Sequence, residues 1–334
     1  MTINVGAYRL LGYSNAPDPS LKEVRQDARE LKREYRNAPP APVAPYPVYS
    51  LAGLTALFGE LVSWLSNLLH LPAAPAVPAG PVVPVAGRPT RFVISSFNIL
   101  GSNHTVPGAD AAEYASGPTR IRWAAQLLEQ HHVDVVGFQE MNNDQATAFK
   151  QATGNTYGMF PGAAKRSMAS NNSIAWRNDT WDLVKAYTVD ITSHKGNLWP
   201  CPVVRLRNKE TGQETIFCNF HNAPGLHLGL QQGNRDKAKD QEVALVNKLK
   251  AETGLPVIVT GDMNERETFY QQFHQQAGMN AANAGPGGRL PKNVGIDWIF
   301  GSAGVSFKGF TRDRGALERK VSDHGMITSE VKIG

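Results

Sequence analysis

The sequence predicts an α/β (α+β) fold: mixed β-sheets covered by helices. Three observations carry that expectation. Short stretches rich in Val, Ile and Phe recur from residue 91 onward, with the composition of strands. Longer stretches with apolar residues at helical spacing separate several of them. Others are joined directly by short turns, such as the Gly-containing "ETGQE", as hairpins are. Helical crossovers and hairpins in one chain imply mixed sheets with helices on their faces.

The elements follow in order. Residues 1–90 stand apart as an N-terminal appendage. Residues 20–36, "SLKEVRQDARELKREYR", place opposite charges at helical neighbour spacing, with Ser20 and Glu23 in the capping-box pattern. "NAPPAPVAPYPV" breaks any helix through repeated proline. Residues 51–71 form a candidate apolar helix, with Leu54, Leu57, Leu61 and Leu65 near one face. "PAAPAVPAGPVVPVAGRP" then reads as an extended linker. The appendage is expected either to be a passive extension or to dock on a membrane, a protein partner or a sister copy.

From residue 91 to 334 the texture changes to alternating strand and helix signals. "RFVISSFNIL" is a strand reaching Asn98, and "TRIRWAAQLLEQHH" from Thr119 is a helix with Ile121, Ala124 and Leu128 on one face. "VDVVGFQE" is a short apolar strand ending at Glu140. "NNSIAWR" and "TWDLVKAYTV" read as one strand pair, "VVRLRN" and "ETIFCNFH" as another. "NRDKAKDQEVALVNKLKAE" is a helix, "PVIVTGD" a buried strand, and "ERETFYQQFHQQ" a further helix. "GIDWIF", "VSFKGF" and "HGMITSEV" complete the strands.

Bulk numbers bound the class. The 334 residues, 41% hydrophobic and 19% charged, are those of a globular protein. A net charge of +5 permits an anionic partner without requiring one. Cys201 and Cys218 are too few for a disulfide framework and wrongly spaced for zinc. A single bridge between them is compatible with their flanking a hairpin; two partly buried thiols is the favoured reading. The N-terminus has no secretory pattern, and residues 51–71 carry Glu60, Asn67 and His70, so they make a poor membrane span. A cytoplasmic or non-classically exported protein is expected.

Polar residues gather where the strands run out: Asn98, Gln139 and Glu140, Asn219 and His221, Asp262 and Asn264, Asp297, then Ser322, Asp323 and His324. A sheet is a rigid base and its end loops are free, so chemistry collects there. Any one of these residues has a plain explanation as a turn or surface group; the set together points to a site. "SFNIL", "VGFQE", "CNFHNAP", "VTGDMNERE", "GIDWIF" and "VSDHG" come in the order and spacing of the endonuclease/exonuclease/phosphatase superfamily, which residues 91–334 resemble.

That resemblance implies a four-layer αββα sandwich of two mixed β-sheets flanked by helices. It implies hydrolysis of a phosphoester with a divalent ion, usually Mg2+, with Mn2+ or Ca2+ as alternatives. Glu140 matches the family's main metal carboxylate, with Asn98 and Asp323 beside it. Asp262 matches the acid that orients or deprotonates water, and Asn264 the amide on a phosphate oxygen. His221 and His324 match the histidines flanking the scissile phosphate, and Asp297 the acid paired with His324. The residue types suit this chemistry: magnesium prefers oxygen ligands, and an Asp–His pair fixes a tautomer and stabilises imidazolium. Whether Asp262 or the Asp297–His324 pair is the base stays open. Arg166 and Arg205 are candidate phosphate donors weighed against plain surface, Arg205 being the better, and Asn172 is a further candidate on the substrate phosphate. His104, His131, His132, His194, His227 and His274 match no motif and are read as surface or structural.

"FHNAPG" and "GDMNERE" resemble stretches of pancreatic-type deoxyribonucleases and of the catalytic subunit of cytolethal distending toxins. A DNA endonuclease of low sequence specificity is therefore expected, with nucleic acid as substrate. One departure stands out. The acid that would support the first histidine is missing before "SIAWR", where Asn171 or Asn172 takes its place. The alternatives are a lipid or inositol-phosphate phosphodiesterase of the same superfamily, and a binding module that has kept the fold without catalysis. The intact acids and histidines weigh against the last.

Overall fold

The computed structural model describes residues 87–163, 171–225, 231–285, 288–315 and 317–334, all within the unit Ala79–Gly334. The helices expected at 20–36 and 51–71, the Pro-rich stretches between them, Arg166 and His227 lie outside the described residues.

In chain order the strands are β1 (Thr90–Asn98), β2 (Val135–Gln139), β3 (Tyr157–Phe160), β4 (Asn172–Arg177), β5 (Trp181–Thr192) and β6 (Leu198–Asn208). They continue with β7 (Glu214–His221), β8 (Val257–Asp262), β9 (Asn280–Ala281), β10 (Asp297–Gly301), β11 (Val305–Arg312) and β12 (Ile327–Ile333). The helices are α1 (Gly117–Gln130), α2 (Asn143–Thr153), α3 (Gln232–Thr253), α4 (Glu267–Ala277) and the short α5 (Glu318–Val321). One six-stranded sheet has the order β11-β12-β1-β2-β4-β3, the other β5-β6-β7-β8-β10-β9. Both are mixed. β1 and β2 run parallel, as do β7 and β8, while their other neighbours are antiparallel.

Three buried clusters mark the layers. Phe92, Ile94, Val135 and Ile174 of the first sheet meet Val204, Leu206, Phe217, Ile258 and Ile299 of the second. On the outer face of the first sheet, Phe97, Val136 and Phe138 pack with Ile121, Leu128 and Phe149 of α1 and α2. On the outer face of the second, Cys218, Val259, Trp298 and Phe300 pack with Val246, Phe269 and Phe273 of α3 and α4. The architecture is helices, sheet, sheet, helices, and burial of both faces explains the near-continuous apolar runs of β2 and β8. Cys201 and Cys218 are free and buried.

Three details depart from the sequence reading. "NNSIAWR" and "TWDLVKAYTV", expected to pair with each other, lie in different sheets: β4 pairs with β2 and β3, and β5 is an edge strand paired with β6. Helix α1 starts at Gly117, with Pro118 in its first turn, and ends before His131. Helix α2 was not anticipated. Its apolar positions are mostly alanine, and its start is set by Asn142, which forms a reciprocal capping box with Gln145.

The two sheets are pinned by polar groups as well as by packing. Gln139 Nε2 donates to Asn219 Oδ1 (2.6 Å), and Thr260 Oγ1 donates to the same oxygen (3.1 Å). Asn219 Nδ2 returns bonds to the carbonyls of Phe138 and Ser173. Gly137 makes the approach possible, because a Cβ there would overlap Thr260 Oγ1 and the Asn219 side chain. Gln139 and Asn219, grouped with the strand-end polar residues by sequence, are therefore cross-sheet links.

Candidate active site

The strand period builds the site. Along β1, Phe92 and Ile94 face the second sheet, and two more steps of two reach Asn98. Along β7 the same face carries Phe217, Asn219 and His221; along β8 it carries Ile258, Thr260 and Asp262; along β10 it carries Ile299 and Asp297. A side-chain period of two thus turns a dry inter-sheet face into a row of polar groups where the strands end. Register adds the rest: Asp262 lies opposite both His221 and Asp297.

Asp262 is the hub. Its Oδ1 accepts from the Asn264 backbone (2.9 Å) and its Oδ2 from Asn98 Nδ2 (3.1 Å). The Nε2 atoms of His221 and His324 each lie 3.7 Å from that Oδ2. His324 Nδ1 is held by Asp297 Oδ1 at 2.9 Å, and Arg312 lies 3.8 Å from the other oxygen of Asp297. Asn264 donates its amide to the Asn222 carbonyl (3.0 Å). Glu140 lies beside this cluster, sharing the Asn98 amide with Asp262. It accepts from Asn98 Nδ2 and the Gly101 backbone, each at 3.0 Å, and its Oε1 is 3.9 Å from His221 Nε2. Of these groups, Glu140, His221, Asp262, Asn264 and His324 line a cavity of about 360 Å³, together with Asn103, His104, Asn142, Asn171, His194, Trp199 and Pro224. Leu100, Glu140 and Asn264 have positive φ (55°, 59° and 49°) although none is glycine. Such backbone costs free energy and is retained where the surroundings over-determine it.

Each remaining expected residue has a definite place. Arg205 lies outside the cavity, bound to Glu214. It pairs with Ile216, five residues before His221, about 17 Å along the strand at its ordinary rise. Asp323 is exposed, with a bond from Ser322 Oγ at 3.4 Å. Asn172 is buried beneath the site, its Nδ2 toward Cys201 Sγ (3.5 Å); Asn171 reaches the cavity and accepts from Asn142 (2.9 Å). Among the described residues no acid stands behind His221: its buried Nδ1 has no partner among them, and the ring packs edge-on against Trp199. Sequence reasoning missed His104, His194 and Arg312. His104 brings Nε2 to 3.6 Å from Glu140 Oε2, and its other nitrogen contacts Asp110 at 3.0 Å. A histidine in a loop gives no periodic signal, but the pair six residues apart, His104 and Asp110, was a hint.

A family model, "Endonuclease/Exonuclease/phosphatase family", matches residues 95–324. The chain belongs to that family. A Bacteroides thetaiotaomicron protein of the endonuclease/exonuclease/phosphatase family is similar in structure, with a TM-score of 0.58 and 21% identity over 74% of this chain and 99% of that one. A mannosyl-6-phosphatase of the same organism superposes with a TM-score of 0.55, 21% identity, and 72% and 99% coverage. The human Nocturnin catalytic domain with bound sulfate gives 0.58, 14%, 75% and 97%. At such identities the likeness is one of fold. No curated protein matches the chain.

Endonuclease/exonuclease/phosphatase enzymes are phosphoesterases and nucleases that generally use divalent metals, and this chain is a hydrolase of that class. Its donor set fits such an ion at Glu140, whose two oxygens face the cavity and are held by only one amide bond each. Burial raises the Glu140 carboxyl, but the charges of His221 and His324 and the bonds from Asn98 and Gly101 outweigh it, so it stays ionised below its ordinary range. Among the described residues, Asp262, Asp297 and His324 also lie close enough to share an ion. One Asp297 oxygen is engaged by His324 Nδ1, and both Asp262 oxygens accept amide bonds. Burial pushes Asp262 up, opposed by His324. Burial works the same way on Asp297, but His324 and Arg312 outweigh it and hold it low. Burial disfavours the charged form of His324, yet Asp297 and Asp262 raise it well above an ordinary histidine.

Proposed function

We propose that the chain is a divalent-metal-dependent phosphodiesterase acting on DNA as an endonuclease of little sequence preference. The observation that carries this is the convergence of His221 and His324 on Asp262, each Nε2 at 3.7 Å from one oxygen, with Glu140 beside them, 3.9 Å from His221, in the same cavity. Glu140, with Asn98 and Asp323 at neighbouring strand ends, would hold the ion, Mg2+ or in its place Mn2+ or Ca2+. Once bound, it supplies positive charge against the phosphoryl oxygens. Asp262 orients a water and accepts its proton as the water oxygen bonds phosphorus. The ester P–O bond breaks, and the leaving oxygen takes a proton from one of the flanking imidazoles. Asp297 fixes the His324 ring so that Nε2 faces the phosphate. Asn264 lends its amide to a phosphoryl oxygen, and Asn172 supports the floor.

The test is nicking of supercoiled plasmid with magnesium or with chelator. Metal-dependent nicking is expected, falling by about 10²–10⁴ in His221→Ala and Asp262→Asn. A second reading, a phosphoesterase for lipid-, inositol- or sugar-linked phosphate, is favoured by one observation. Among the described residues that line the cavity there is no Arg or Lys, while Asn103, Asn142 and Asn171 are present. Amides suit hydroxylated headgroups, whereas polyanion binding rests on cations. The mannosyl-6-phosphatase neighbour lies on the same side. Release of headgroup or inorganic phosphate with plasmid left intact would establish it. No turnover of any substrate would leave a binding module.

A further inference from the structure

The loop that follows β1 is built to deliver a histidine to Glu140. The Gly101 backbone donates to Glu140 Oε2 (3.0 Å), and a Cβ at Gly101 would overlap Asn103 Oδ1 and crowd the Glu140 carbonyl. Ser102 N is held by Gln145 Oε1 and Asn103 N by Asn142 Oδ1, each at 3.1 Å, so the capping residues of α2 also fasten this loop. The His104 backbone closes the turn onto Gly101 (3.0 Å), and Ala111 N donates to the His104 carbonyl (2.9 Å), which brings Asp110 beside the ring.

The ring chemistry follows from these placements. Asp110 contacts Nδ1 with both oxygens, at 3.0 and 3.3 Å. A carboxylate there keeps the proton on Nδ1 and leaves the Nε2 lone pair free. That lone pair lies 3.6 Å from Glu140 Oε2, beyond hydrogen-bonding distance. A lone pair and a carboxylate oxygen repel unless a cation sits between them. Two ligands about 2.1 Å from one ion and about 110° apart are separated by about 3.5 Å, the spacing seen at such centres. A carboxylate behind a metal-bound imidazole is the usual orienting partner.

Resting on the reading that Glu140 holds the ion, we propose that His104 is an additional ligand, oriented by Asp110, which adds a nitrogen to an otherwise all-oxygen site. Imidazole nitrogen favours first-row transition ions over magnesium. The centre would therefore prefer Mn2+, Co2+ or Zn2+ to Mg2+ by more than carboxylates alone allow.

Co2+ serves as the probe because its visible absorption reports ligand type. The full chain is titrated with Co2+ and, separately, Mg2+ by calorimetry, with the Co2+ spectrum recorded, for wild type, His104→Ala, Asp110→Asn and Glu140→Gln. His104→Ala is expected to weaken Co2+ at least about tenfold and to change its spectrum, while Mg2+ affinity shifts less than about twofold; free imidazole should restore the spectrum. Asp110→Asn, which keeps the loop's volume, should weaken Co2+ in the same direction and guards against misfolding of the alanine variant. Unchanged Co2+ affinity and spectrum in both His104→Ala and Asp110→Asn, or equal losses for both ions, would overturn the proposal. Failure of the wild-type chain to bind either ion, or of Glu140→Gln to weaken them, would sink the underlying reading of Glu140 instead.

Discussion

Asp297 and His324 show how one contact sets a residue's chemistry. Asp297 holds Nδ1 at 2.9 Å, and its charge favours imidazolium. Removing that charge removes the largest contribution that raises His324, so Asp297→Asn should shift the His324 titration to lower pH, read by NMR of the ring protons. The same variant frees the ring and should slow hydrolysis about 100-fold or more. A wild-type titration curve in Asp297→Asn would contradict the geometry. The site histidines His221 and His324 were legible because each sits in a short motif at a strand end. His104 was not, because its contact with Glu140 crosses 36 residues of chain and is made by a loop with no periodicity. Arg205 illustrates the reverse: an arginine on a strand next to a site strand, but with the wrong parity and at the wrong end, already bound by Glu214.

At the scale of elements, two joints hold the site. Arg120 of α1 is fully buried and donates to the carbonyls of Ile99, Leu100, Ala115 and Val321, tying the end of β1 to α5. Arg120→Met should strip the buried carbonyls of Ile99 and Val321 of their Arg120 donor, while Leu100 keeps Gln145, and destabilise the chain by about 3 kcal/mol or more, measured by urea unfolding. Gly137 is the other joint. Gly137→Ala would drive a methyl into Thr260 and Asn219 and should cost about 1–3 kcal/mol as overpacking does. An unchanged midpoint would mean the sheets can part there freely. Neither joint could be read from sequence. Arg120 sits in a helix whose pattern marks it as an ordinary charged residue, and Gly137 is one glycine in an apolar strand. The strands themselves were legible, because alternation of two continues through "VISSFN" and "IFCNFH" from apolar into polar residues without losing its phase. α2 was not, since alanines and amides give its face little contrast.

For the whole molecule, the four layers follow from where apolar residues fall, and burial carries a pH signature. Burial pushes the Glu318 carboxyl up to about 8, with Asp313 adding to it, and burial also holds Glu242 well above its ordinary value. A carboxyl raised on folding binds its proton more tightly in the folded chain. Its contribution to stability is thus complete below the ordinary value of 4.5 and is lost as pH rises through about 8. Wild-type stability to urea should therefore fall between pH 5 and 9 more steeply than that of Glu318→Gln; equal slopes would refute the assignment. The sequence places the appendage at residues 1–90, but β1 already starts at Thr90; we expect that a chain lacking residues 1–86 still folds and hydrolyses, since every described strand lies beyond them. The pinned contact between the sheets has a kinetic meaning too. Glu140 and Asn98 hang from one sheet, while His221, Asp262 and Asp297 hang from the other. Neither sheet alone carries all of these residues, so during refolding turnover should return no earlier than the meeting of the two sheets.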